Sequence, residues 1–137
     1  MPETRMEEPG VLRVLVVDDE PLMIRTVARQ LRGEEYRLLE AASVAEALDV
    51  LARERVDLVL MDMTMPGLDG LSYMEYCQAD DRLAQIPVIF LTGTVLREIK
   101  EKAFALGAVD FIAKPFDELD LKVRIRAQLR LKILRDE

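Results

Sequence analysis

Five polar side chains stand where short apolar runs end. Asp18 and Asp19 follow Leu12-Arg-Val-Leu-Val-Val17, Asp62 follows Val56-Asp-Leu-Val-Leu-Met61, Thr92 follows Pro87-Val-Ile-Phe-Leu91, and Lys114 follows Val109-Asp-Phe-Ile-Ala113. Three carboxylates brought together would repel one another and resist ionisation unless a cation joined them. Carboxylate oxygens without imidazole or thiolate specify a hard cation, and a Mg²⁺ site completed by water and a phosphoryl group fits best. The chain has no histidine and one cysteine, Cys77. That excludes Ser-His-Asp and Cys-His nucleophiles, histidine-rich zinc sites, a phosphohistidine role and an intrachain disulfide. Neither GxxxxGK[ST] nor GxGxxG occurs, so a nucleotide-cradling loop is not expected. What remains is an aspartate that accepts a phosphoryl group while a metal and a lysine balance the charge. Each residue also has an ordinary reading. Asp18 and Asp19 can cap a helix, Asp62 can form a turn, Thr92 can cap or close a turn, and Lys114 can simply be solvated. These readings weaken together if one edge of one sheet gathers all five.

The elements that would gather them alternate along a chain of 137 residues, about one domain. Apolar residues make up 50% and charged residues 33%, as in a globular domain, and 19 basic against 26 acidic residues leave a charge of -7. That balance argues against direct nucleic-acid binding and against an anionic membrane surface, and no apolar run has the length of a membrane span. Residues 1–10 read as a loose tail without a signal-peptide pattern, which with the lone cysteine suits a cytoplasmic protein. The runs quoted above, with Tyr36 to Ala41, predict five strands. Between them, Pro21 opens a first helix that runs towards Gly33, and Ser43-Val-Ala-Glu46 has capping-box spacing for a second, through about Arg55. Leu71 to Ala79 and Val95 to Leu106 predict two more, and a long last helix follows Lys114-Pro115 with Asp117 as its cap. The alternation predicts an α/β fold with a doubly covered parallel sheet, whose ligands bind beyond the carboxyl ends of the strands.

Four segments in order resemble the motifs of bacterial two-component response-regulator receiver domains of the chemotaxis-receiver type. They are Val14-Leu-Val-Val-Asp-Asp-Glu-Pro21, Leu60-Met-Asp-Met-Thr-Met-Pro-Gly-Leu-Asp-Gly70, Ile89-Phe-Leu-Thr-Gly93 and Gly107-Ala-Val-Asp-Phe-Ile-Ala-Lys-Pro-Phe116. The resemblance implies a flavodoxin-like (βα)5 sandwich with strand order 2-1-3-4-5. It implies Asp62 as phosphoacceptor, with Mg²⁺ held by Asp19 and Asp62, by the Thr64 carbonyl, and by Asp18 mostly through water. Thr92 would donate its hydroxyl to one phosphoryl oxygen, and Lys114 its ammonium to another. The Lys114–Pro115 bond would be cis, the isomer that only X–Pro adopts cheaply. Phe111 holds the place of a switching aromatic that packs inward once Thr92 moves. The partner implied is a sensor histidine kinase or a phosphotransfer protein.

Outside these motifs, Met61, Met63 and Met65 read as core and loop packing, and Cys77 as inert packing. The last helix is unusual. Leu121, Ile125, Leu129 and Ile133 form one apolar stripe, while Leu119, Val123, Ala127, Leu131 and Leu134 form another. The first can cover the sheet. The second predicts an interface, unless neighbouring helices and loops cover both. With the basic residues Lys122, Arg124, Arg126, Arg130 and Lys132, and with Asp110 on the adjoining strand, it predicts a weak homodimer through the fourth helix, fifth strand and last helix. Asp110 and Arg124 resemble residues that pair across such a face in one subfamily of DNA-binding response regulators.

Two functions follow. One is a phosphorylation-driven signalling switch, not an enzyme beyond slow self-catalysed phosphorylation and dephosphorylation. The other is a phosphatase of small phosphoesters with an aspartyl-phosphate intermediate. The second would want an acid two residues after the nucleophile, where Thr64 stands. The expected organisation is a tail over 1–10, a receiver domain over 11–130, and a continued helix over 131–137. That last stretch has no helix stop and reads as the start of a linker to an output domain.

Overall fold

The structure, a computed structural model, describes residues 11–63, 70–93 and 96–136. Five parallel strands, β1 (Arg13–Val17), β2 (Arg37–Ala41), β3 (Leu58–Asp62), β4 (Val88–Thr92) and β5 (Asp110–Ala113), form one sheet in the order β2-β1-β3-β4-β5. The three central strands are buried at every position, whereas β2 and β5 at the edges are only partly covered. This is why β1, β3 and β4 read as continuous apolar runs: both of their faces meet helices.

Alternate residues of each strand feed two cores. Val14, Val16, Leu58, Leu60, Ile89, Leu91 and Ile112 pack against α1 (Pro21–Gln30) and α6 (Glu118–Asp136). Leu15, Val17, Val59, Met61, Phe90 and Phe111 pack on the other face, against α2 (Val44–Arg53), α3 (Gly70–Gln78) and α5 (Arg97–Ala105). Side-chain capping sets the starts of some helices. Ser43 accepts from the Glu46 N–H at 3.1 Å, and the Glu46 carboxylate reaches back to the Ala42 N–H at 2.9 Å. Asp117 accepts from the Asp120 N–H at 3.1 Å, as its cap position predicts.

The alternation did not predict α4 (Asp81–Ala84). Asp80 caps this short helix by accepting from the Arg82 and Leu83 N–H groups, and Leu83 is its one buried residue. A helix of four residues with one of them buried leaves no periodicity to read. Because of α4, the helix expected as the fourth is α5. Its described part begins at Arg97; the expected start at Val95 lies outside the described residues, as does Met65, read as packing from the sequence. At the start of α3 the main chain runs close to the core. A Cβ on Gly70 would lie 2.5 Å from Cε1 of Phe90 and 2.8 Å from Sδ of Met63, so only glycine fits without displacing them.

Candidate functional site

At the carboxyl edge of the sheet, β1 delivers Asp18 and Asp19, β3 ends on Asp62, β4 ends on Thr92, and β5 leads into Lys114. Residues in register across a parallel sheet finish side by side, so strand order alone carries these side chains to one rim. One carboxylate oxygen from each of Asp18, Asp19 and Asp62 lies within 4.8 Å of the others. Asp18 is fully buried, Asp62 is buried, and Asp19 is exposed. Nζ of Lys114 stands 3.3 Å from Oδ2 of Asp18 and 3.4 Å from Oδ1 of Asp62. The Lys114–Pro115 bond is cis. The Lys114 N–H also donates to the Thr92 carbonyl at 2.7 Å, tying β5 to β4 at this edge.

Charge decides what the rim can hold. Three carboxylates and one ammonium leave two negative charges in a site that is mostly out of water. A divalent cation closes that balance, and an all-oxygen donor set with room for water and a phosphoryl oxygen suits Mg²⁺. The donors present therefore fit that ion. The expected fourth donor, the Thr64 carbonyl, lies outside the described residues.

The ordinary readings fare unevenly. Asp18 does stabilise the turn into α1, accepting from the Glu20 N–H at 2.9 Å, but Glu20 itself holds the cap position and makes no side-chain cap bond. Thr92 is no helix cap, because that position before α5 belongs to Leu96. Lys114 is not a solvated surface lysine; its side chain is only 16% exposed.

Phe111 is already turned inward, 9% exposed, so it does not wait in solvent for Thr92 to move. Its ring meets Phe90 at 5.4 Å and Phe104 edge-on at 5.0 Å, and the Lys100 ammonium lies 5.4 Å from its centroid. Lys100 and Phe104, one helical turn apart on α5, escaped the sequence reading; their i, i+4 spacing was the available signal. Any response of Phe111 is thus a repacking among these neighbours. Met61 and Met63 are buried packing residues, and Cys77 is buried, which pushes its thiol pKa up and keeps it unreactive.

The two stripes of α6 separate as the spacing predicts. Leu121, Ile125 and Leu129 are buried against the sheet, whereas Leu119, Val123, Leu131 and Leu134 are more than half exposed. Ile133 departs from the expectation and is exposed, because α6 has by then run past the sheet. Most of the basic residues of α6 are matched within the chain. Arg124 grips both oxygens of Asp110 at 2.8 Å and also Asp120 at 2.9 Å, Arg126 pairs with Glu34, and Lys122 pairs with Glu118.

A family model for the response regulator receiver domain matches residues 14–126. The chain is 40% identical over 118 residues to the transcriptional regulatory protein YvrH of Bacillus subtilis (strain 168), covering 85% of this chain and 48% of that protein. It is 37% identical over 131 residues to a probable cyclic di-GMP phosphodiesterase of Vibrio cholerae, covering 96% of this chain and 30% of that one. The chain thus spans half or less of these two relatives. Among solved structures, a CheY-like response regulator receiver domain protein from Methanospirillum hungatei superposes with a TM-score of 0.83 at 26% identity. That match covers 92% of this chain and 99% of the other. With its flavodoxin-like sheet and an acidic rim opposite one lysine, the chain belongs to the response regulator receiver domains, the phosphoacceptor switches of two-component signalling.

Proposed function

We propose that Asp62 is the phosphoacceptor. The observation that carries this is the Lys114 ammonium set between the Asp18 and Asp62 carboxylates, with Asp19 completing a group of three acids. A carboxylate oxygen of Asp62 attacks phosphorus, the bond from phosphorus to the donor's imidazole nitrogen breaks, and the imidazole leaves to take a proton from solvent. Asp18, Asp19, Asp62 and the Thr64 carbonyl would hold Mg²⁺, which supplies neutralisation of phosphoryl charge. Lys114 neutralises one equatorial oxygen, and the Thr92 hydroxyl donates to another. The donor is a sensor histidine kinase or phosphotransfer protein in the cytoplasm, and Leu22, 71% exposed beside Asp19 on the first turn of α1, offers it an apolar contact. The domain is a switch that turns over only its own phosphoryl group. A phosphatase reading is disfavoured, since Thr64 supplies no carboxylic acid two residues beyond Asp62.

The phosphoryl group biases Thr92, then Phe111, then the face of α5, β5 and α6, shifting an equilibrium between two packings. The output is a weak homodimer tightened by phosphorylation, acting on an attached domain or another protein. Exposed Phe104, Leu119, Val123 and Leu131 support this face as the contact. Apolar packing carries the affinity, because Asp110 and Arg124 already satisfy each other within one chain and gain little by exchanging partners. We assign residues 11–130 to the receiver and 131–137 to a helical continuation towards an output domain.

Acetyl phosphate with Mg²⁺ should add one phosphoryl group to the wild type, measured by intact mass. Asp62→Asn should show none; equal labelling of that variant would sink the assignment. Sedimentation should show phosphorylation strengthening self-association, with Val123→Glu or Leu131→Glu abolishing it. A wild type that stays monomeric after full phosphorylation would refute the dimer while leaving Asp62 in place.

A further inference from the structure

At the amino ends of the strands lies a groove of about 670 Å³, far from the acidic rim. Arg53 and Arg55, at and after the end of α2, Arg82 of α4 and Lys132 of α6 line it, with Leu51 and Ile86 as buried apolar wall. Two of its arginines, Arg53 and Arg82, make no ion pair among the described residues. Arg82 donates to the Leu51 carbonyl, and Arg55 donates to the Val11 carbonyl at 2.5 Å. A guanidinium carries five N–H donors. One bond to a neutral carbonyl fixes its position and leaves its charge in place. Arg53 is exposed and makes no side-chain hydrogen bond or ion pair among the described residues.

The acids here do not cancel this charge. Glu54 is engaged by Arg13 at 2.9 Å, and buried Asp57 is shared by Arg55 and Lys132, each at 3.8 Å. The lining itself holds two acids, Glu54 and Asp81, and Asp80 caps α4 beside it. Four cations line the groove against Glu54 and Asp81, an excess of two before Asp80 is counted, in a chain whose formal charge is -7. Arg53 lies in the last turn of α2, where its charge complements the helix dipole without using its donors, and the bond from Arg82 to the end of α2 uses one of its own.

We propose that this groove binds a small phosphate ester of nucleotide size, its phosphate against Arg53 and Arg82 and its ring stacked on the half-exposed guanidinium of Arg55. Guanidinium groups match phosphate by paired N–H donors, and a preset fork loses less freedom on binding than a lysine does. The volume lies within the range of small-molecule sites. The site is distinct from Asp62: the five residues of β3 separate the two ends of the sheet by about 13 Å at ~3.3 Å per residue.

The test is a titration of the whole chain without Mg²⁺, followed by backbone amide NMR, using inorganic phosphate, pyrophosphate and AMP separately. The expected result is saturable change at residues 51–56 and 81–86, with AMP binding tighter than inorganic phosphate because its ring stacks on a guanidinium. Arg53→Glu should weaken AMP at least about tenfold while the amide signals outside α2 keep their folded dispersion. Arg82→Gln should weaken it as well. Any of three outcomes overturns the proposal: non-saturating shifts spread over all exposed arginines, equal affinity in Arg53→Glu, or changes confined to the Asp62 rim. Binding of an acidic peptide at this groove with no response to AMP or pyrophosphate also overturns it, in favour of a protein partner.

Discussion

Both ends of the sheet bury aspartate beside lysine, yet they balance charge in opposite directions. At the carboxyl end, three carboxylates meet one ammonium, and the deficit is positive charge. At the amino end, Asp57 accepts from the Arg13 N–H at 2.8 Å, and Arg55 and Lys132 flank it at 3.8 Å, with Arg13 itself paired to Glu54. There the surplus is cationic. A buried carboxylate with its hydrogen bonds and charges satisfied is a structural pin. One left under-compensated with its neighbours invites a metal ion and, with it, a phosphoryl group. Burial alone does not separate them, since Asp57 is about as hidden as Asp62.

The largest test of this contrast exchanges the two acids for amides. Asp62→Asn should lose phosphorylation completely while keeping its fold. Asp57→Asn should still be phosphorylated but lose about 1–3 kcal/mol. The Arg13 N–H loses a charged acceptor and the mostly buried Lys132 is left beside an uncharged partner, while half-exposed Arg55 adds little. Intact mass and urea unfolding on both variants separate chemistry from stability. Loss of labelling in a folded Asp57→Asn would break the comparison.

Lys114 sharpens it further. Replacing this lysine with methionine removes the one positive charge between Asp18 and Asp62 and leaves three carboxylates unopposed. Mg²⁺ should then bind tighter, by about tenfold, as expected when a competing charge a few ångströms away is removed. The phosphorylated form should in turn shift the signals of Phe111 less than in the wild type. Weaker Mg²⁺ binding in Lys114→Met would mean that the lysine arranges the ligands rather than competing with the ion.

Packing at the same rim gives a smaller effect. Gly70→Ala should cost about 1–3 kcal/mol, since its Cβ would meet the Phe90 ring and Met63 in a filled core. Gly93→Ala, where a Cβ meets nothing within 4 Å, should stay within about 0.5 kcal/mol of the wild type. Urea midpoints of the two variants check both values.

How much of this was legible follows from the range of the interactions. The rim was readable because each of its residues ends a strand, and parallel strand ends converge whatever the loops do. Asp18, Asp62, Thr92 and Lys114 needed only the apolar runs to be placed. The surplus stripe of α6 was legible for a similar reason, from helical spacing alone. The amino-end groove was not. Arg82 reaches the Leu51 carbonyl and Lys132 reaches Asp57, contacts across 31 and 75 residues that no local pattern encodes. Helix α4 was invisible because its four residues bury only Leu83. The Arg124–Asp110 pair was noticed as a pair, but spacing could not say whether it closes within one chain or between two.

The smallest expected effect tests the cationic end through pH. Arg126 donates to both carboxylate oxygens of Glu34, at 3.0 and 2.8 Å, joining α6 to the segment after α1. That bidentate bond, and then the Arg126 charge, hold the Glu34 carboxyl below its ordinary value of 4.5. A carboxyl with a lowered folded-state pKa binds protons more readily in the unfolded chain. Its stabilisation is therefore full well above pH 4.5 and is lost as pH falls through the lower folded value. Glu34→Gln should unfold at slightly lower urea than the wild type near neutral pH, and the two midpoints should converge as the solution is acidified below 4.5. Added salt should shrink the neutral-pH gap, because the guanidinium side of the pair is open to solvent. A gap that stays constant through acid would show that the amide lost packing or hydrogen bonding rather than charge. The amino end would then owe its order to shape, and the charge contrast between the two ends would rest on Asp57 alone.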